Sequence, residues 1–291
     1  MLHIHNLSKT YANGTRALDG ISLNIDRGMF GLLGPNGAGK STLMRILATL
    51  LDADEGRVTF DDINVLDSPQ PLRQRLGYLP QEFGVYPRIS AQHLLDHLAV
   101  LKGITDKKAR REQVNHLLER TNLLDVRKKS VHTFSGGMKQ RFGIAQALLG
   151  NPGLIIVDEP TAGLDPEERN RFHNLLSEIG ENVVVILSTH IVDDVRDLCP
   201  RMAILARGKL VLTGEPKALI RQLAGRIWTR TIERDQLPDY MDSFRVLSTR
   251  LFAGKTQLRV YAADNPGETF LPATPDLEDV YFNCLADGKS A

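Results

Sequence analysis

The sequence contains little of what marks a secreted or nucleic-acid-binding protein. Only two of its 291 residues are cysteine, Cys199 and Cys284, and they are far apart with no CxxC spacing. Two thiols placed in this way predict neither a disulfide framework nor a zinc site, and they are typical of a reducing compartment. The formal net charge is +1, so there is no electrostatic reason to expect a nucleic-acid partner.

Long hydrophobic runs are also absent. The longest, such as VVVIL at 183–187, fall far short of the ~20 residues that a membrane-spanning helix needs. The N-terminal MLHIHNLSKTY has no charged segment followed by an apolar core, so it does not resemble a secretory signal. We therefore predict a cytoplasmic protein that acts at a membrane only through other subunits.

Two kinds of hydrophobic pattern predict the fold class. LHIHNLSKTY and ALDGISLNI alternate apolar and polar residues on either side of Asn13-Gly14, which favours antiparallel pairing at the start of the chain. GMFGLLG, GLIIVDEP and NVVVILSTH are short apolar runs typical of buried parallel strands, and helical patterns lie between them. We predict an α/β fold with a parallel core and an N-terminal antiparallel β subdomain.

The rest of the chain divides into two further parts. Helical patterns dominate residues 89–127, and we expect a helical insert at about 89–150. From about residue 225 the strand-like segments RIWTRTIE, RVLSTRLFA and KTQLRVYAA are combined with helical patterns at LPDYMDSF and DLEDVYFNCL. We predict a nucleotide-binding domain at 1–224 and a small C-terminal α/β accessory domain at 225–291.

The segment GPNGAGKST at 34–42 matches the phosphate-loop pattern GxxxxGK[ST], after a predicted strand and at the start of a helical pattern. Its glycines let backbone N–H groups surround phosphate oxygens, Lys40 can reach the β- and γ-phosphates, and the Ser41 hydroxyl can ligate magnesium. The predicted phosphate-binding residues are Gly34, Pro35, Asn36, Gly37, Ala38, Gly39, Lys40, Ser41 and Thr42.

Acidic and histidine side chains follow the next two predicted strands. Asp158 ends one strand and could hold a metal, while Glu159 could orient and deprotonate an attacking water. Two acids at a strand end can also be simple surface residues, and His190 can be a core histidine bonded to backbone. Because ligands collect at the carboxyl ends of parallel strands, we predict that all three residues line the phosphate site, with His190 at the γ-phosphate.

The segment TFSGGMKQR at 133–141 presents a second candidate anion site. Ser135, Gly136 and Gly137 lie where a helical pattern begins, and the exposed amides and dipole of a helix N-terminus favour an anion. The residues alone do not say whose phosphate this site would hold.

Together these motifs resemble those of the nucleotide-binding subunits of ATP-binding cassette (ABC) transporters, over about residues 1–224. SGGMKQR resembles the family's signature sequence, LPQ places Gln81 as in its Q-loop, and AGLD places Asp165 as in its D-loop. Tyr11 is placed like the aromatic residue that stacks on adenine, although it could equally be a strand residue packing on the sheet. Phe134 and Met138 depart from the commonest signature, and this variant is similar to exporters of drugs, polysaccharides and lipids.

The resemblance implies a mechanism with two copies. Cassettes of this family pair head to tail, so that Ser135 to Gly137 of one copy close over ATP held by the Lys40 loop of the other. Ser41, Asp158 and Gln81 would ligate magnesium, and Gln81 would also sense the γ-phosphate.

The resemblance also implies integral-membrane permease subunits as partners, with the protein lying peripherally on the inner face of the cell membrane. Residues 82–97, including Tyr86, Pro87 and Leu94, would form the groove that a permease enters, and an ordinary surface loop is the alternative.

Two other functions share parts of this pattern. A soluble mechanical ATPase acting on ribosomes or chromosomes is disfavoured because the chain has one cassette and no heptad repeats between Lys40 and Ser135. A small-molecule kinase would use the same phosphate loop, but it gives no role to His190 or to the two glycines after Ser135.

Overall fold

A computed structural model of the chain describes residues 1–81, 84, 88–161, 164–180, 182–252 and 254–287. The strands within these ranges are β1 (Leu2–Thr10), β2 (Arg16–Ile25), β3 (Gly28–Leu33), β4 (Glu55–Phe60), β5 (Ile63–Asn64), β6 (Leu76–Leu79), β7 (Leu154–Asp158), β8 (Val184–Thr189), β9 (Arg201–Ala206), β10 (Lys209–Gly214), β11 (Ile227–Ile232), β12 (Arg245–Phe252), β13 (Lys255–Tyr261) and β14 (Leu271–Pro272). The α-helices are α1 (Lys40–Leu47), α2 (Pro69–Arg75), α3 (Ala91–Leu101), α4 (Lys107–Arg120), α5 (Gly136–Ala147), α6 (Pro166–Ile179), α7 (Val192–Leu198), α8 (Pro216–Gln222), α9 (Leu237–Ser243) and α10 (Leu277–Asp287).

The N-terminal sheet is antiparallel, in the strand order β2-β1-β4-β5. Its first two strands are joined by a tight turn in which the Gly14 amide donates to the Tyr11 carbonyl at 2.8 Å and Gly14 has a φ of +83°. Glycine adopts this left-handed backbone without a steric penalty. The predicted pairing around Asn13-Gly14 is confirmed.

The central sheet has the order β10-β9-β3-β8-β7-β6, and every pair in it except β10 with β9 is parallel. The register places Leu33 of β3 opposite Thr189 of β8, and Asp158 of β7 opposite Ser188 of β8. The carboxyl ends of β3, β7 and β8 therefore meet at one edge of the sheet. All residues of β7 and β8 are buried, as the continuous apolar runs predict.

The sequence analysis did not identify β6, β9 and β10. β6 is only four residues long and contains Gly77. A Cβ at that glycine would lie 2.1 Å from the Ala147 carbonyl oxygen at the end of α5, so glycine is needed because helix and strand approach closely. Short strands with a glycine carry a weak periodic signal.

Helices α3, α4 and α5 lie within the segment predicted as a helical insert. Ser90 caps α3 by accepting from the His93 amide at 3.3 Å, and Asp106 caps α4 by accepting from the Ala109 amide at 2.7 Å. These caps satisfy amides that have no partner inside the helix. The boundaries 89–150 stay a prediction.

The C-terminal part forms a sheet in the order β12-β13-β11-β14, all antiparallel. Its last helix, α10, buries Val280 and Tyr281 in the same apolar core as Val195 of α7. Arg259 of β13 donates to both carboxylate oxygens of Asp279 in α10, at 2.8 and 2.5 Å. The C-terminal strands are thus joined through α10 to the helix that follows β8, and the division at 224/225 stays a prediction.

A buried carboxylate joins α6 and α7 to the segment after β7. Asp194 of α7 is fully buried and accepts from the Thr161 hydroxyl at 2.5 Å and the Arg169 guanidinium at 2.9 Å, and it lies 2.9 Å from His173 Nε2. Burial alone would raise the pKa of Asp194, but the hydrogen bonds and the Arg169 charge outweigh it and hold this pKa below its ordinary value. The carboxylate is therefore stabilised in its charged form.

We expect Asp194→Asn to lower the free energy of unfolding by about 2–4 kcal/mol, because Arg169 would lose its buried counter-charge. A carboxyl whose folded pKa is depressed stabilises the fold above its unfolded pKa and loses this contribution as the pH falls through the folded value. Urea unfolding should therefore show a difference between wild type and variant that keeps nearly its full size from pH 7 to about pH 4 and shrinks only below about pH 4, as the pH approaches the depressed folded pKa. Asp193→Asn, an exposed neighbour, is the control and should cost less than about 0.5 kcal/mol. An equal effect of the two substitutions would contradict this role.

Candidate functional site

The loop at residues 34–39 connects β3 to α1 and has a backbone that glycine makes possible. Gly39 has a φ of +105°, and a Cβ there would lie 2.3 Å from the Ala17 carbonyl oxygen. No side chain caps α1, so the amides of its first turn are available to an anion. This is the geometry that the sequence pattern predicts for a phosphate cradle.

Lys40 brings a buried cation to this loop. Its side chain is 5% exposed, and its ammonium donates to the Gly34 carbonyl at 2.7 Å and the Pro35 carbonyl at 3.3 Å. Burial lowers the pKa of Lys40, and the carboxylates of Glu159 and Asp158 only partly offset this. An ammonium that has lost much of its hydration gains strongly from a further anion such as a phosphate.

Glu159 and His190 form a pair at the strand ends, beside Lys40. Glu159 directly follows β7, and its backbone is held at a φ of +49° while its amide donates to the Ser188 carbonyl at 2.8 Å. Its Oε2 lies 2.9 Å from His190 Nδ1, and its Oε1 lies 3.6 Å from Lys40 Nζ. A left-handed backbone at a non-glycine residue is strained and is often found at functional sites.

His190 is not a core histidine. Its side chain is 44% exposed, and its ring is bonded to the Glu159 carboxylate. The sequence left open whether His190 is a core histidine or a residue of the phosphate site. In the structure its side chain lines the cavity around the phosphate loop.

Asp158 and Ser41 have the chemistry of a magnesium site. Burial raises the pKa of Asp158, although the hydroxyls of Ser188 and Ser41 act in the opposite direction. Among the described residues the buried Asp158 Oδ1 has no hydrogen-bond partner, which leaves an oxygen that a hard cation could satisfy. The described residues contain no cluster of three or more His, Cys, Asp or Glu that could hold a metal alone.

Tyr11 and Gln81 complete the rim of a cavity of about 780 Å³ around the phosphate loop. Tyr11 lies one residue after β1, and its hydroxyl is 3.1 Å from Thr42 Oγ1. Gln81 is exposed and lies two residues after β6. Both side chains line the cavity, and their roles in base stacking and metal binding stay predictions. The described residues lining it are Tyr11, Thr15, Arg16, Ala17, Asn36, Gly37, Ala38, Gly39, Lys40, Ser41, Thr42, Gln81, Glu159, His190 and Arg207.

Ser135, Gly136 and Gly137 are absent from the described lining of this cavity. Ser135 caps α5 by accepting from the Met138 amide at 3.3 Å, and both Ser135 and Gly136 are exposed. A Cβ at Gly137 would lie 3.0 Å from the Glu168 carboxyl carbon, at the far end of a flexible side chain of α6. The exposed helix start and the Lys40 loop are therefore not brought together within one chain.

The two residues that depart from the commonest signature sequence, Phe134 and Met138, pack in or against the apolar core. Phe134 is buried, with its ring 6.4 Å from that of Phe142 in an edge-to-face arrangement. Met138 packs against the same apolar core. Both side chains therefore contribute to packing.

Asp165 caps α6 by accepting from the Glu168 amide at 2.9 Å, and its side chain is exposed. The two residues of the AGLD motif before Leu164 lie outside the described residues. The structure thus gives Asp165 a local role, and its predicted contact with nucleotide stays a prediction.

Only part of the predicted permease groove lies within the described residues. Tyr86 and Pro87 lie outside the described residues, and Leu94 is 4% exposed and belongs to the core. A neighbouring apolar groove of about 510 Å³ has Leu50 and Leu101 on its rim, exposed by 58% and 70%. The other described residues that line it are Ala48, Arg73, Leu76, Tyr78, Pro80, Gly84, Leu98, Lys102, Gln146 and Leu149.

Sequence reasoning missed the groove and the two arginines of the nucleotide cavity, Arg16 and Arg207. The groove combines residues from α2, β6, α3 and α5 with Ala48 and Leu50 after α1, so no local pattern marks it. Arg207 lies between β9 and β10, in an Arg-Gly pair between Ala206 and Lys209. That pair is a weak turn signal.

Comparison with known proteins places the chain in a family. Residues 18–162 match the ABC transporter family. The chain is 35% identical over 227 residues to the linearmycin resistance ATP-binding protein LnrL of Bacillus subtilis, covering 77% of this chain and 72% of LnrL. It is 31% identical to the uncharacterized ABC transporter ATP-binding protein YxlF of the same species, over 98% of this chain and 99% of YxlF.

Among solved structures, the fold is similar to a dimer of the ATP-binding cassette MJ0796 in a post-hydrolysis state bound to ADP and Pi. The TM-score is 0.69 and the identity 28%, over 74% of this chain and 98% of that one. The described part of the chain has no helix long and apolar enough to cross a membrane. The fold class and the family resemblance drawn from the motifs are confirmed, and the chain is a member of the ABC transporter family of ATP-binding proteins.

Proposed function

We propose that the protein binds and hydrolyses ATP as a head-to-tail homodimer and drives separate integral-membrane permease subunits, as part of an exporter. The observation that carries the proposal is the Lys40–Glu159–His190 arrangement at the strand ends, with the serine-glycine helix start exposed elsewhere on the same chain. One chain thus has a phosphate-binding loop and, separate from it, an exposed helix N-terminus at Ser135 that is suited to an anion. A two-fold dimer would bring the helix N-terminus of each copy to the phosphate loop of the other.

The residues at the cradle divide the chemistry between them. Lys40 and the loop amides bind the β- and γ-phosphates and neutralise charge as it moves to the leaving group. Glu159 accepts a proton from the attacking water, and His190, bonded to Glu159, orients that carboxylate and contacts the γ-phosphate. Magnesium held by Ser41, Asp158 and Gln81 supplies charge neutralisation when bound.

The coupling to membrane subunits rests on the apolar groove beside β6 and α3. Leu50 and Leu101 expose apolar surface there, and exposed apolar grooves are suited to an amphipathic helix. Gln81 directly follows the groove residue Pro80, so binding of nucleotide at the cavity and of a permease helix at the groove would share one segment. The name of the relative LnrL, a resistance protein, supports an exporter.

Sedimentation of a hydrolysis-deficient variant with magnesium and ATP tests the proposal as a whole. We expect a monomer without nucleotide and a dimer with it. A protein that binds ATP but stays monomeric, also with its permease subunits present, would contradict the two-copy mechanism.

We expect Lys40→Ala to weaken ATP binding by about 10- to 100-fold, because charge-assisted contacts to the phosphates contribute about 1.5–3 kcal/mol. Isothermal titration calorimetry measures this. Lys255→Ala, which removes an exposed lysine of the C-terminal sheet paired with Glu233, is the control and should bind ATP like the wild type.

Glu159→Gln should leave ATP affinity within about threefold of wild type and lower kcat by about 10²- to 10⁴-fold, the usual contribution of a general base. Steady-state phosphate release and direct ATP binding separate the two effects. Glu178→Gln, at an exposed residue of α6, should hydrolyse ATP normally. Loss of binding in parallel with loss of turnover would show that Glu159 is not the base.

Leu101→Glu should abolish recovery of co-expressed permease subunits in a pull-down, because it places a charge on the rim of the groove. ATP binding by the isolated variant should not change. Leu271→Glu alters an equally exposed leucine of the C-terminal sheet, at 66% exposure, and should leave recovery intact. Equal recovery with both variants would remove the groove as the permease site.

A further inference from the structure

The β9–β10 hairpin is fixed against the phosphate loop by its backbone. The Gly208 amide donates to the Ala38 carbonyl at 2.9 Å, and the Asp19 amide donates to the Gly208 carbonyl at 2.8 Å. A Cβ at Gly208 would lie 2.9 Å from the Ala17 carbonyl oxygen. The tip of the hairpin is therefore held at the start of β2 and at the loop, although it lies far away in sequence.

Arg207 occupies the tip of this hairpin, and its side chain lines the nucleotide cavity. Its backbone has a φ of +49°, a conformation that suits glycine or asparagine and is unfavourable for most other residues. A long cationic side chain is thus held at a position where the backbone alone would favour a smaller residue.

The charge of Arg207 differs from that of its neighbours. Arg16 lies 2.6 Å and Lys209 lies 3.1 Å from a carboxylate oxygen of Asp19, so Asp19 compensates both cations. In the described part of the chain the exposed side chain of Arg207 has neither an ion pair nor a hydrogen bond. Its five N–H donors are available to a ligand in the cavity.

The position of Arg207 along the cavity indicates which part of the ligand it meets. Glu159 and His190 lie beside the Lys40 ammonium, where the terminal phosphates bind. Arg207 is held instead at Ala17 and Ala38, in the part of the cavity that also includes Thr15. A guanidinium only donates hydrogen bonds, and the ribose hydroxyl oxygens and the purine N7 are acceptors.

We propose that Arg207 is a nucleotide-binding residue that recognises the nucleoside half of ATP, as distinct from its β- and γ-phosphates. This inference rests on the proposed ATP-binding function of the same cavity. It adds a contact from the β9–β10 hairpin to those of the phosphate loop and Tyr11.

The test compares ATP with inorganic tripolyphosphate, which lacks the nucleoside, on the full chain with magnesium at constant salt. Arg207→Asn is the variant, because asparagine tolerates the left-handed backbone, and its melting temperature should stay within about 2 °C of wild type. Lys209→Asn removes the same charge from the same hairpin but lies outside the described lining of the cavity. Calorimetry measures the Kd for ATP, and thermal-shift titration up to millimolar concentration measures the Kd for tripolyphosphate.

We expect Arg207→Asn to raise the Kd for ATP about 5- to 20-fold and to change the Kd for tripolyphosphate less than twofold. Lys209→Asn should change neither Kd by more than twofold. An unchanged ATP Kd in Arg207→Asn, or equal losses for ATP and tripolyphosphate, would overturn the inference. Wild-type protein that fails to bind ATP would instead refute the proposed function, so the two failures are distinguishable.

Discussion

The parallel alignment of β3, β8 and β7 is the constraint on which the candidate site depends. Because these strands run in the same direction and in register, the phosphate loop, Glu159 and His190 all leave the sheet at one edge. The Lys40 ammonium is buried among loop carbonyls within 3.6 Å of Glu159. A cation that is desolvated but incompletely compensated makes the edge a place where a polyanion gains more than it would in water.

The same architecture explains why the two candidate anion-binding features of a single chain do not meet. The helix start at Ser135 belongs to α5, whose Arg141 lies 3.6 Å from the Glu168 carboxylate of α6. The cradle belongs to the sheet edge. Two copies related by a two-fold axis would combine the features, so nucleotide would act as part of the interface. The groove lies beside β6, which leads to Gln81 at the cavity. Helix α10 shares an apolar core with α7, which begins two residues after the cavity residue His190.

Sequence reasoning succeeded where one residue type has one physical reason to be present. The glycines at 34–39 and the buried runs of β3, β7 and β8 were recognisable because a phosphate cradle and a parallel strand leave few alternatives. It failed at β6, which has only four residues and pairs with β7 far along the chain, and at the β9–β10 hairpin, whose strands have six residues each. It also missed Asp194, a buried carboxylate in a short helix that sequence alone reads as an exposed acidic face.

By itself, the sequence determined the family and the fold class and predicted the phosphate-binding loop, since these depend on local patterns and on the order of motifs. Only the tertiary structure decided which side chains share a cavity. It brought Arg207 to the phosphate loop, bonded His190 to Glu159 and kept Ser135 away from both. Such relations depend on strand register and on hairpin packing between residues that are distant in sequence, such as Gly208 and Ala38, and no local periodicity encodes them.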